Sequence, residues 1–124
     1  GLPCAADVSF ADLKPADFDA LVIPGGYAPD VMRRFKDALT FTAAMDKAGK
    51  PIAFICHAGW VPVSAGILKG RTVTSYCAIK DDLVNAGATW VDLDVVVDKN
   101  LISSRDPSDL PAFCKALVKA LGLS

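Results

Sequence analysis

One cysteine and one histidine stand side by side in this chain, Cys56-His57, and that histidine is the only one in 124 residues. A thiol beside an imidazole suits nucleophilic chemistry, the ring taking the proton as sulfur attacks a carbonyl. The pair closes an apolar run, Ile52 to Ile55, which reads as a short buried strand led in by Gly49-Lys50-Pro51. Small residues follow at once: Ala58 and Gly59, then Ser64, Ala65 and Gly66 at helical spacing. A strand that turns sharply into a helix leaves its turn residue at the carboxyl edge of a sheet, beside the positive helix end. That end is expected to favour Cys56 as a thiolate. A free thiol can also be an ordinary buried core residue; the adjacent imidazole argues for chemistry.

The elements that must position this pair can be read in order. Asp7 to Phe10 alternates polar and apolar residues and is expected as a short strand or the end of one, and Ala11 to Asp19 as a connection. Ala20 to Pro24 is a second buried strand, ending in Gly25-Gly26. A glycine pair there permits positive φ and close backbone approach, so its amides can face a ligand; a simple tight turn is the alternative. Helices are expected from Ala28 to about Phe35 and from Ala38 to Ala48, the latter stopped by Gly49 and Pro51. Thr72 to Thr74 is a short strand, and Lys80 to Ala86 a helix capped by Gly87. Thr89 to Leu93, Val95 to Asp98 and Leu101 to Ser104 are strand-like, with a hairpin turn at Asp98-Lys99-Asn100. The last helix starts at Pro107-Ser108-Asp109, and its stripe of Leu110, Phe113, Leu117 and Leu121 is expected in the core. Alternating strands and helices predict an α/β fold with a mostly parallel sheet. Both Gly25-Gly26 and Cys56-His57 would then meet at its carboxyl edge.

Composition narrows the function. A net charge of −1 and 52% hydrophobic residues give no electrostatic case for nucleic acid or an anionic membrane. No apolar run is long enough to cross a bilayer. The four cysteines, Cys4, Cys56, Cys77 and Cys114, are widely spaced, which argues against a metal site or disulfide framework and for a reducing cytoplasm. All 14 acidic residues are aspartate; the chain holds neither Glu nor Gln.

Five stretches together resemble the PfpI branch of the DJ-1/PfpI superfamily: DFDALVIPGG (17–26), GKPIAFICHAG (49–59), SAGILKGRTVTSY (64–76), IKDDLVNAGATWVD (79–92) and VVVDKNLISSRDPSDLPAF (95–113). The resemblance is colinear over nearly the whole chain. It implies a single domain over residues 1–124 with a flavodoxin-like three-layer α/β sandwich, akin to class I glutamine amidotransferases. It assigns Cys56 as nucleophile, His57 as its histidine, and the amides of Gly26 and His57 as an oxyanion hole. The acid that orients the histidine would be Asp30, supplied by a neighbouring subunit of a homo-oligomer, where the family commonly has glutamate. A charge favoured by the helix N-terminus is the other reading of Asp30. No cofactor or metal is implied. The family's first strand–helix–strand unit carries a glutamate that bonds the nucleophile, and Gly1 matches a point after that unit, so a preceding segment or companion chain is expected.

The leading reading that the resemblance implies is an intracellular cysteine hydrolase of the peptidase type, acting on a peptide or small carbonyl substrate. The alternative is a glyoxalase or deglycase acting on methylglyoxal or its adducts, a route that leans on the absent glutamate as base and so is expected to be dead in this chain. A stress-related redox sensor or chaperone using the thiol is the non-enzymatic reading. A glutamine amidotransferase is disfavoured because no second histidine is present.

Overall fold

The run Ile52–Ile55 is a strand, β2, with all four residues buried. Burial on both faces demands neighbours on both edges and cover above and below, and the computed structural model, which describes residues 2–123, supplies both. Gly1 and Ser124 lie outside the described residues. On one edge β1 (Leu21–Ile23) runs parallel, Leu21 opposite Ile52 and Ile23 opposite Phe54. On the other, β6 (Leu101–Ser104) is also parallel, Ile52 opposite Leu101 and Ile55 opposite Ser104. β5 (Val96–Asp98) pairs antiparallel with β6 and gives the order β1-β2-β6-β5. The turn between them holds Lys99 at φ 54°. A second, two-stranded parallel pair joins β3 (Thr72–Val73) to β4 (Thr89–Trp90).

The helices are α1 (Ala28–Met32), α2 (Lys36–Lys47), α3 (Trp60–Ala65), α4 (Lys80–Asn85) and α5 (Leu110–Ala120). Strand alternation divides the core between two layers. Ile23, Ile52, Phe54 and Leu101 face Phe41 and Met45 of α2, Val61 of α3 and Leu83 of α4. Ala53, Ile55 and Ile102 face the other way, onto Phe113 of α5. The expected sandwich of helices, sheet and helix follows from that alternation.

Three local expectations are corrected. Asp7 to Phe10 is not a strand: the Ser9 hydroxyl accepts the Ala11 amide at 3.3 Å and starts a 3₁₀ turn over Phe10–Asp12. That segment is held by Phe10 and Phe18, both edge-on to Phe41 with ring centroids 5.8 Å away. The strand expected over Thr89 to Leu93 stops at Trp90, because its only ladder partner, β3, has two residues. The stripe on α5 is only partly core: Phe113 is buried and Leu117 and Leu121 half-buried, but Leu110 is 43% exposed. α5 covers a sheet face only a few side chains wide, so one turn of the stripe makes the central contact.

Two polar clusters tie loops to this frame. Arg71 reaches Asp46 (3.3 Å), the Asp98 carbonyl (3.0 Å) and Asn100 Oδ1 (2.7 Å), while Asn100 Nδ2 donates to Asp46 and to the Lys50 carbonyl. The β5–β6 turn is thereby fixed to the entrance of β2. After β6, Arg105 donates from Nε and Nη2 to the two carboxylate oxygens of buried Asp109, both at 2.9 Å, and from Nη1 to Asp92 at 3.0 Å. The Arg105 side chain, with its backbone amide (2.9 Å), holds the Asp109 carboxyl below the usual carboxylate range against the effect of burial.

A carboxyl depressed on folding contributes stability above its unfolded pKa of about 3.9. That contribution disappears as pH falls through the lower folded value. Asp109→Asn is expected to lower the urea midpoint at pH 7 and to flatten its fall between about pH 4 and pH 2. Equal acid limbs in the two proteins would show that this pair carries none of the pH dependence.

Candidate active site

Cys56 leaves β2 with φ 62°, in the left-handed region that a side chain normally avoids. Ile55 before it is still extended (φ −131°, ψ 147°), so the chain reverses sense within one residue. A 3₁₀ turn, Cys56–Gly59, follows, and only then does α3 begin. The elbow inferred from the sequence is present, although its first turn is tighter than an α-helix.

Gly25 makes the elbow possible. A Cβ built there would lie 2.8 Å from Cys56 Cβ and 3.0 Å from the Ile55 carbonyl, closer than real side chains allow. Gly26 has a different reason to be glycine: its φ is 85° and its Cβ direction is open. Because β1 and β2 are parallel and in register, the turn after β1 and the turn after β2 emerge together. The sequence motifs Gly25-Gly26 and Cys56-His57 therefore converge as expected.

Around the sulfur, Cys56 Sγ lies 3.3 Å from His57 Nδ1. A neutral ring protonated on Nε2 accepts the thiol proton at Nδ1. The imidazole is fixed by aromatic neighbours: Tyr76 stacks on it (5.0 Å, 25° between planes) and Trp60 meets it edge-on (5.1 Å, 63°). Trp60 is anchored through Nε1 to Asp82 at 2.9 Å, and the Arg33 guanidinium lies 5.4 Å above its ring. The Tyr76 amide donates to the Cys56 carbonyl at 3.2 Å, fastening the exit of β3 to the elbow.

The electrostatics differ from the thiolate expected. Burial pushes the Cys56 thiol up and Asp106 adds to the rise, while the backbone amides of His57 and Gly26 pull the other way. A short 3₁₀ turn supplies little of the dipole that a long helix would. The imidazole 3.3 Å away is the group placed to take the thiol proton.

A cleft of about 330 Å³ opens over the pair, lined by Gly26, Tyr27, Asp30, Cys56, His57 and Trp60. Asp30 thus shares the cleft of its own chain, but its hydrogen bond there goes to Arg34. It lies in the first turn of α1, the position of the alternative helix-charge reading. Trp60 and Tyr76 are site neighbours that the sequence reading did not single out. Trp60 could have been found, one helical turn beyond Cys56; Tyr76 arrives from another strand and left no local signal. Among the described residues, no three His, Cys, Asp or Glu side chains are grouped to hold a metal ion, and no helix is long and apolar enough to cross a membrane.

With this geometry in hand, comparison with known proteins is informative. The model of the DJ-1/PfpI family matches residues 1–120. A deglycase of Thermococcus kodakarensis is 48% identical over 121 residues, covering 98% of this chain and 73% of that protein. Protein/nucleic acid deglycase 2 of Escherichia coli is 44% identical, covering 94% of this chain and 68% of that protein. Among solved structures, a two-domain protein of Anabaena variabilis with DJ-1/ThiJ/PfpI-like and ferritin-like domains superposes with a TM-score of 0.90 at 42% identity. That match covers 91% of this chain and 32% of the two-domain protein.

Two outcomes are expected from this geometry. The rate of Cys56 alkylation by iodoacetamide should climb with pH to a midpoint above that of an ordinary free thiol; a midpoint below it would mean that the amides outweigh burial. Gly25→Ala should slow alkylation of Cys56 at least about tenfold while Cys77 and Cys114 react as before, since a displaced elbow costs on the order of 1–3 kcal/mol. Peptide mapping reads both.

Proposed function

The chain belongs to the DJ-1/PfpI family, and from that premise we propose that it is a cysteine-dependent enzyme of the deglycase and glyoxalase type, acting on methylglyoxal or its adducts. The observation that carries this reading is the Cys56 thiol on its elbow, 3.3 Å from the His57 imidazole and faced by the amides of His57 and Gly26. The names of the relatives favour it over the peptidase reading that the residues first suggested.

An adduct first releases its amine or thiol, the C–N or C–S bond breaking and the hydroxyl proton leaving with the departing group, which regenerates the aldehyde that Cys56 attacks. Cys56 Sγ adds to the aldehyde carbon while His57 Nδ1 takes the thiol proton. The new C–S bond leaves an alkoxide that the amides of Gly26 and His57 steady. A proton then shifts from the former aldehyde carbon to its neighbour, converting the hemithioacetal into a lactoyl thioester; with no glutamate in these 124 residues, His57, freed once it passes the thiol proton to the alkoxide, is the base that carries it. Water hydrolyses it, so adduct plus water becomes free amine or thiol plus lactate, with no net oxidation. A thiol suits the addition step, because general-base removal of its proton is coupled to attack on an electrophile as reactive as an aldehyde.

Asp30 enters this reading as the carboxylate that a second copy of the chain supplies to His57 in a homo-oligomer. In its own chain Asp30 lines the cleft and bonds Arg34, so the role depends on the second copy bringing its Asp30 to this histidine.

The test is lactate release from methylglyoxal-treated N-acetylcysteine, run beside casein hydrolysis. Cys56→Ala should abolish lactate release, and His57→Ala should reduce it by about 10²–10⁴. Asp30→Asn should lower kcat without lowering thermal stability. Cys56-dependent cleavage of casein without lactate release would return the peptidase reading to first place.

A further inference from the structure

A second cavity, of about 280 Å³, is lined by Tyr76, with Trp90, Asp92, Arg105 and Asp106 also in its walls. Topology puts it at the same sheet edge as the Cys56 cleft. Because Ile55 stands opposite Ser104 in the parallel ladder, Arg105 and Asp106 leave β6 beside the point where Cys56 leaves β2. Tyr76 connects the two regions, stacking on His57 and also lining this second cavity. The Trp90 wall is fixed through Nε1, which donates to Ser75 Oγ at 3.0 Å.

The charges define what the cavity suits. Arg105 is already committed to Asp109 and Asp92, so it offers little to an incoming anion. Lys80 places its ammonium 5.1 Å from the Trp90 ring centroid, so that ring is already engaged and an incoming cation must be drawn by a carboxylate. Asp106 is the charge left over: Oδ1 accepts from the amide and hydroxyl of Ser108, and Oδ2 has no donor among the described residues. A free carboxylate oxygen beside aromatic walls favours an organic cation such as a guanidinium.

We propose that this cavity is a specificity subsite for a basic side chain, above all arginine, next to the modified residue of a peptide substrate. The assignment rests on the deglycase reading of Cys56. A peptide lying across Tyr76 would set its adduct in the Cys56 cleft and its flanking cation against Asp106.

The experiment compares two peptides, each with one cysteine flanked by arginine or by its neutral isostere citrulline, treated with methylglyoxal only briefly so that the thiol alone carries the adduct, as intact mass checks. KM for the arginine peptide should be about tenfold lower, equivalent to 1.4 kcal/mol, with kcat alike. Asp106→Asn should bring the KM ratio close to one; using the ratio cancels any general effect of Asp106 on the thiol. A second arm titrates the Cys56→Ala protein calorimetrically with the unmodified arginine peptide, and adding Asp106→Asn should weaken that binding by a similar factor. Equal KM values in the unmutated protein, or binding indifferent to Asp106→Asn, would overturn the subsite. Asp106-dependent binding without turnover of either peptide would support the subsite and overturn the deglycase reading instead.

Discussion

The fold turns on a close approach of two backbones. Gly25 and Cys56 come so near each other that no side chain fits at the first position, and the second is held at a positive φ that cysteine does not choose. A non-glycine residue in that region costs on the order of 1–3 kcal/mol and persists only where its surroundings over-determine it. Here the surroundings are the parallel ladders of β1 and β6 on either edge of β2, together with the Tyr76 amide on the Cys56 carbonyl. Remove the register of either ladder and the elbow has no reason to stay bent.

From that constraint the chemistry follows by proximity. The bend aims sulfur into the cleft and brings His57 alongside it, between Tyr76 and Trp60. The aromatic neighbours also explain how one histidine can serve a site with no acid bonded to it among the described residues of its own chain: stacking fixes the ring plane, leaving a carboxylate to tune the proton. The environment raises the thiol, which suits attack on an aldehyde with the proton leaving in step.

Much of this was legible in the residues. The apolar run of β2, the glycine pair after β1 and the lone Cys-His pair carry strong local signals, and a parallel sheet makes their meeting a matter of topology. Three things were not legible. The charge state of Cys56 depends on how much protein surrounds the sulfur, which no dipeptide states. Tyr76 approaches from another strand. Leu110 fits the helical period of its stripe, yet periodicity gives the direction of a face and not the width of what it covers.

The two halves of the core are unequal, and Cys56 sits on the smaller one. One face of the sheet is sealed by three helices, whereas the other rests on α5, whose contact centres on Phe113 against Ala53, Ile55 and Ile102, with Cys56 packed at its margin. Layers with few apolar contacts open first in native-state fluctuations. The packing behind Cys56 therefore lasts only as long as α5 stays docked. Each transient lifting of that helix removes the floor on which the bent elbow is braced, so the reactivity of Cys56 toward reagents in the cleft would report the breathing of a helix on the opposite side of the sheet from α2, α3 and α4.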